Sequence, residues 1–350
     1  MEKGREYGID FIRIYAMCLV IMGHIIGRGG VLTATPLGST EHNIALFLKI
    51  FSLCSINIFG LISGYVGYGV KFNFFHIIKL WIQILFWTVL IALFFVVARG
   101  IPIHFDLVRI TFLPITTKTY WYMTAYFIAY LLSPLINIFV KRTNDIILFG
   151  GAICMLFTVS VILTTSGNNA IWLCVLYFIG AIIRKIDIKK KSYIKIGVCG
   201  YLFCVVFTWL AAISKEAGTA VWNKFLWAIF GGRYDGIWPS SITMLLAALF
   251  ILLVGINIKL NSNATIIIKI ITPSILSIYL IHVHPLIFDE LADVFSFMED
   301  YTGLGIIGTT IGAVCFIFIG CIFLDFGRRK LFTYVDKVVA ERRGRKSISN

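Results

Sequence analysis

The sequence predicts an all-α polytopic membrane protein of about ten transmembrane helices, and three observations lead there. Composition comes first: 59% of the 350 residues are hydrophobic and 14% charged, with a mean hydropathy of +0.92. A water-soluble chain is about 45–50% apolar and ~25% charged. A soluble core cannot absorb the excess; lipid can. Second, the apolar residues gather into ten segments, most near the ~20 residues that cross a bilayer. They are 8–27, 44–70, 77–98, 120–140, 145–164, 169–185, 193–213, 238–257, 268–292 and 303–326. Third, with the N-terminus inside, 23 of the 31 Lys and Arg fall on the cytoplasmic side and 8 outside. Lys and Arg favour cytoplasmic loops, and an odd number of spans would scramble this split. The net charge of +14 therefore reads as topology and needs no nucleic-acid partner.

The first segment is preceded by Lys3 and Arg5 but holds Asp10, Arg13 and His24 and has no small-residue cleavage site. It reads as a retained span, not a leader. A charge at the bilayer centre is costly, so intramembrane Arg and His mark a polar interior. Arg13 and His24 are eleven residues apart, which returns to one helix face ~16 Å further along the axis. Asp10 lies one turn before Arg13 on that face. A neutral imidazole at the depth of His24 can take a proton from a hydroxyl; the bland reading is a histidine that only packs helices.

Later segments add candidates. FFHIIKLWIQ opens the third span, with His76 and Lys79 on one face at a helix N-terminus. That pair suits an anionic phosphate or is one more positive-inside anchor. TYWYMTAYFIAYLL (119–132) reads mostly as an aromatic belt at the outer interface. Trp121 and Tyr126 are its candidates for a sugar-binding face. WNKFLWAIF (222–230) reads as a short interfacial or re-entrant helix. In SILSIYLIHVHPLIFDE, His282 lies ~20 Å along the ninth span from Lys269, at a depth matching His24. Pro285 frees a backbone carbonyl and kinks the helix near this level. His282 and His284, two apart, point to different faces, and His282 is the one expected in the site. No third ligand sits at that depth, so no metal is expected. The eight cysteines all fall in apolar segments without metal-type spacing and read as buried structural thiols. The span region covers 1–327, and a basic tail, 328–350, is expected in the cytoplasm, solvated or along anionic lipid.

These motifs in this order resemble the acyltransferase 3 family of integral-membrane acyltransferases. IDFIRIYAMCLVIMGHI (9–25) has the family's Asp-x-x-Arg start and its Arg-to-His spacing. FGLISGYVGY (59–68), YWYMTAYFIAYLLSPLIN (120–137) and SILSIYLIHVHPLI (274–287) are similar to its later motifs. One departure matters: where the family carries an Arg-x-x-Arg pair taken to meet the acyl-CoA, this chain reads His76-Ile77-Ile78-Lys79. The bidentate geometry of arginine is lost there.

The resemblance implies a ten-helix core in a bacterial plasma membrane, with both termini cytoplasmic. It implies transfer of an acyl group, most often acetyl, from cytoplasmic acyl-CoA to a hydroxyl of a surface or lipid-linked polysaccharide. Acyl-CoA is then a co-substrate, and no other cofactor is implied. His24 and His282 become the catalytic candidates, Asp10, Arg13, His76 and Lys79 the donor side, and Trp121 and Tyr126 the acceptor side. A proton-coupled secondary transporter is the competing reading, and a non-catalytic envelope scaffold a third.

Overall fold

The computed structural model describes residues 5–159, 167–189, 193–216 and 238–348. Among them every regular element is helical. In chain order these are α1 (Tyr7–Ile26), α2 (Val31–Ala34), α3 (Thr40–Leu53), α4 (Ser55–Gly67) and α5 (Phe74–Arg99). Then come α6 (Phe105–Phe112), α7 (Trp121–Arg142), α8 (Asp145–Phe157), α9 (Ala170–Ile186) and α10 (Tyr193–Glu216). The series closes with α11 (Ile242–Asn257), α12 (Ser262–Ile271), α13 (Ile275–His282), α14 (Pro285–Glu290) and α15 (Gly303–Ile348).

Each of the ten apolar segments coincides with one or more of these helices. Seven of the described helical stretches are long and apolar enough to cross a membrane, and α8 and α11 are shorter apolar helices. The chain is an all-α, multi-pass membrane protein. Its surface is consistent with lipid as solvent, since Phe94, Val97, Phe203, Leu304 and Phe316 all point outward. Three cysteines expected to be buried, Cys154, Cys199 and Cys315, are exposed as well. A thiol behaves as a small hydrophobe, so an apolar surrounding accepts it on either side of the helix.

Three boundaries differ from the sequence reading. The second segment is two helices, α3 and α4, meeting at Cys54. The ninth is divided into α12, a 3-10 turn at Thr272–Ser274, α13 and α14. The break after His282 falls where Pro285, lacking an N–H, can only begin a new helix. The last helix does not stop at 326 but runs on to Ile348. Its continuation is rich in Lys, Arg and Val and contains no proline, and an Asp325–Arg328 ion pair of 2.6 Å, both side chains buried, bridges the expected boundary. The residues 222–230, read as a short interfacial helix, lie outside the described residues, as does the end of the fifth segment.

Small residues set the packing around α1. Between membrane helices, where lipid is as apolar as leucine, close backbone approach is a main source of association. A side chain at Gly64 of α4 would run into the Tyr177 carbonyl of α9, and one at Gly180 of α9 into the Leu61 carbonyl of α4. Gly8 of α1 meets the Gly255 carbonyl of α11 in the same way. The α4–α9 and α10–α11 pairs form one wall of the bundle, while α5, α13 and α15 form the other, and α1 lies between them.

Charges tie down the start of α1. Arg184 of α9 donates to Glu6 at 2.8 Å and to the Tyr65 hydroxyl at 2.8 Å. Burial raises the Glu6 carboxyl, but the bonds from Arg184 and Tyr65 and the nearby positive charge outweigh it, so its pKa lies below the ordinary 4.5. The far end of α1 is held differently. Asp293 and Phe295, in the loop after α14, donate their backbone N–H groups to Arg28 and Gly29.

Candidate active site

A cavity of about 510 Å³ runs beside α1, within the usual range for small-ligand sites. Arg13, Met17, Val20 and His24 line it from α1, as residues four, seven and eleven apart on a helix must when one of them does. Phe59, Ile62 and Ser63 of α4, His76 of α5, Tyr122 and Tyr126 of α7 and Tyr279 of α13 complete much of the wall. Most of the lining is apolar, and the charged groups sit at its two ends.

Arg13 marks the first end. Its Nη1 donates to Asp10 Oδ1 at 2.7 Å, and Arg5 Nε donates to Asp10 Oδ2 at 2.7 Å. Asp10 is buried and does not line the cavity. Its two oxygens are spent on two arginines, and its effect on the site is to aim Arg13. His76 lines the cavity nearby, facing the Tyr130 ring at 5.0 Å. Lys79, expected as its partner, is exposed and outside the lining. A residue three along shares a helix face only loosely, and here the difference leaves His76 inward and Lys79 outward.

Tyr126 stacks on Tyr130 with centroids 6.2 Å apart. It therefore belongs to the Arg13–His76 end and lies deeper than an outer aromatic belt. The i, i+4 repeat of Tyr122, Tyr126 and Tyr130 carries one aromatic stripe down α7. Trp121, at the first residue of α7, also reaches the cavity wall.

His24 marks the other end. Its Nδ1 lies 3.2 Å from His282 Nε2, and His282 Nδ1 lies 2.6 Å from the Ile278 carbonyl oxygen. These two contacts assign the tautomers. A carbonyl has no proton, so His282 Nδ1 must carry one, and in a neutral ring its Nε2 then accepts. His24 Nδ1 must be the donor to it, which leaves the lone pair of a neutral His24 on Nε2. Among the described residues no protein group bonds that nitrogen. Chemically, this is a base whose orientation is fixed from behind, the arrangement by which a second residue holds an imidazole for proton transfer. The Phe288 ring stands edge-on to His24 at 5.0 Å and shields it. His284 is turned elsewhere: fully buried, it caps α14 by accepting from the Leu286 N–H.

Lys49, one of the eight basic residues that the charge split places on the outer face, is given no role in the site by the sequence. It lines the cavity from α3 and donates to the Gly23 carbonyl at 2.9 Å. The signal was present: a lysine inside the apolar run ALFLKIFSL has the same cost as Arg13 or His24. Among the described residues no group of three or more His, Cys, Asp or Glu side chains could hold a metal ion.

The family model of an acyltransferase domain matches residues 6–326, so it takes in α1 through the membrane part of α15 and the whole cavity. The chain belongs to the acyltransferase 3 family. It is thereby a membrane acyltransferase. No curated protein and no solved structure matches the chain.

Proposed function

We propose that this acyltransferase moves an acyl group, most simply acetyl, from cytoplasmic acyl-CoA to a hydroxyl of a cell-surface or lipid-linked polysaccharide, with His24 as general base. The observation that carries the proposal is the His24–His282 pair at one end of a cavity that has Arg13 and His76 at the other. The phosphates of the donor would meet Arg13, held by Asp10, with His76 beside it. The acyl-pantetheine arm would then follow the apolar wall toward His24, spanning the ~16 Å between residues eleven apart on one helix. Trp121 gives the wall an aromatic face for the acceptor.

In the reaction the free Nε2 of His24 takes the proton of the acceptor hydroxyl as its oxygen attacks the thioester carbonyl. His282 holds the ring in the required tautomer. The proton then passes from His24 to the departing thiolate, so the base is restored in each turnover.

Both termini are proposed to be cytoplasmic, in the plasma membrane of a bacterium. The structure bears on this through the ends of α1. Lys269 packs on Tyr7 at 5.1 Å from the ring centroid, at the start of α1, whereas the 293–295 loop is bonded to the other end. Single cysteines at Ser262 and Asp300, in a background lacking the native eight, should therefore lie on opposite sides. An impermeant thiol reagent on intact cells should label Asp300→Cys and spare Ser262→Cys; the reverse pattern would invert the proposed orientation.

The activity is tested by feeding membranes radiolabelled acetyl-CoA and following label into polysaccharide or lipid-linked sugar. Transfer that depends on His24 is expected. Uptake or exchange of a solute with no consumption of acyl-CoA would favour a transporter and remove the proposal.

A further inference from the structure

We infer that the Lys49 ammonium is a catalytic electrophile for the same site, taking the negative charge that forms on the thioester carbonyl oxygen when the acceptor attacks. The inference rests on the proposed acyl transfer and adds a residue to it.

Placement is the first support. Lys49 Nζ donates to the carbonyl of Gly23, the residue before His24, and a Cβ at Gly27 would lie only 2.6 Å from it. Gly23 and Gly27 are one turn apart and bracket His24. Gly27 opens the slot in α1 that admits the lysine at the depth of the base, and Gly23 leaves room for Ser52 beside it. The carbonyl it meets already accepts the Gly27 N–H at 3.0 Å, so the lysine is anchored without breaking the helix.

Spare capacity is the second. An ammonium has three donors, and one is used here. No carboxylate pairs with Lys49 among the described residues, whereas Arg13 in the same cavity shares Asp10 with Arg5. A positive charge removed from water without a counter-charge is expensive, and a ligand that brings negative charge relieves the cost. Two serine hydroxyls of the lining are committed: Ser52 donates to the Lys49 carbonyl at 2.6 Å and Ser63 to the Phe59 carbonyl at 2.8 Å. Tyr279 also lines the cavity, which makes its hydroxyl the alternative donor to be tested alongside.

The step balances within the site. The acceptor O–H proton goes to His24 Nε2 as the O–C bond forms, and the carbonyl π pair moves onto oxygen, where a Lys49 N–H meets it. On collapse the C=O bond reforms, the C–S bond breaks, and the thiolate leaves with the proton held by His24. Lys49 keeps its own proton throughout.

The test uses the purified full-length chain and acetyl-CoA with water as acceptor, followed by release of the free coenzyme A thiol. Lys49→Met should lower kcat by roughly a hundred- to a thousandfold, the usual cost of one oxyanion donor. KM for acetyl-CoA and binding of coenzyme A, measured by calorimetry, should stay as in the parent. Lys49→Arg should retain part of the rate. If Lys49→Met does not fold, Lys49→Gln, which keeps a donor of similar reach without the charge, carries the same expectation at smaller amplitude. A raised KM with unchanged kcat would make Lys49 a ground-state anion binder and overturn the inference, as would a kcat loss confined to Tyr279→Phe. Wild-type thiol release that depends on His24 but not on Lys49 removes this inference alone. Absence of any His24-dependent release removes the acyl-transfer proposal with it.

Discussion

Arg13 and Lys49 line one cavity but are held in opposite ways. Arg13 shares a buried carboxylate with Arg5, so its direction is fixed and its charge partly answered. Lys49 has a backbone carbonyl and nothing more among the described residues. The two histidines beside Lys49 likewise are oriented with no carboxylate behind them among the described residues. The difference matches two electrostatic tasks. A permanently charged group such as a phosphate needs a cation that waits in the correct place. Charge that exists only during the reaction is best met by groups whose capacity is unspent beforehand, because only interactions stronger in the transition state accelerate it.

Removing the base should produce the largest effect. His24→Ala is expected to cut transfer by roughly 10²–10⁴-fold while coenzyme A still binds. Mass spectrometry of the polysaccharide should show the acylated species disappear; near-normal acylation would end the assignment of roles to the two ends. Arg13→Ala acts on the other end and should weaken coenzyme A binding by about tenfold or more, since a hydrogen bond to a charged group contributes about 1.5–3 kcal/mol. Calorimetric titration reads this directly, and an unchanged affinity would place the donor phosphates elsewhere.

Smaller changes are expected outside the cavity. Glu6 has its pKa lowered in the folded chain, so its ionised form stabilises the fold above the ordinary value of 4.5, and that contribution is lost as pH falls through the lowered value. Glu6→Gln should therefore lower the Tm in detergent slightly at neutral pH, by an amount typical of partly exposed pairs. The gap from the parent should close under acid; a gap that persists would mean the loss is packing and not charge. Lys79→Ala should change KM for acetyl-CoA the least of all, by less than about twofold, because a solvated charge is screened. A large rise would bring Lys79 back to the donor.

The helices were largely legible in the sequence and the site only by halves. Apolar runs announce spans because lipid imposes their length, and all ten segments correspond to helices. The break at Cys54 carries no comparable signal, whereas the one at Thr272–Ser274 holds Pro273, which interrupts a helix and was legible in the sequence. His24 and His282 could each be singled out by the cost of a polar group at depth. Their contact could not, because 258 residues separate them and no local pattern fixes the rotation of one helix against another. Lys49 was overlooked because a count of basic residues treats each as a loop marker. His76 and Lys79 were paired because spacing cannot tell which of two residues on a broad face turns inward.

The positions of the two histidines along their helices have one more consequence. His24 lies in the last turn of α1 and His282 at the last residue of α13. Aligned peptide dipoles leave a partial negative charge at such ends, equivalent to roughly half an electron each. Two helix termini therefore converge on the imidazole pair. In the proposed reaction His24 is transiently an imidazolium, and these backbone ends would supply the stabilisation that an aspartate gives in a triad, about 0.3–1 kcal/mol from each and more when buried. A site within the bilayer can thus hold a proton for the duration of a turnover without keeping a permanent anion in the membrane.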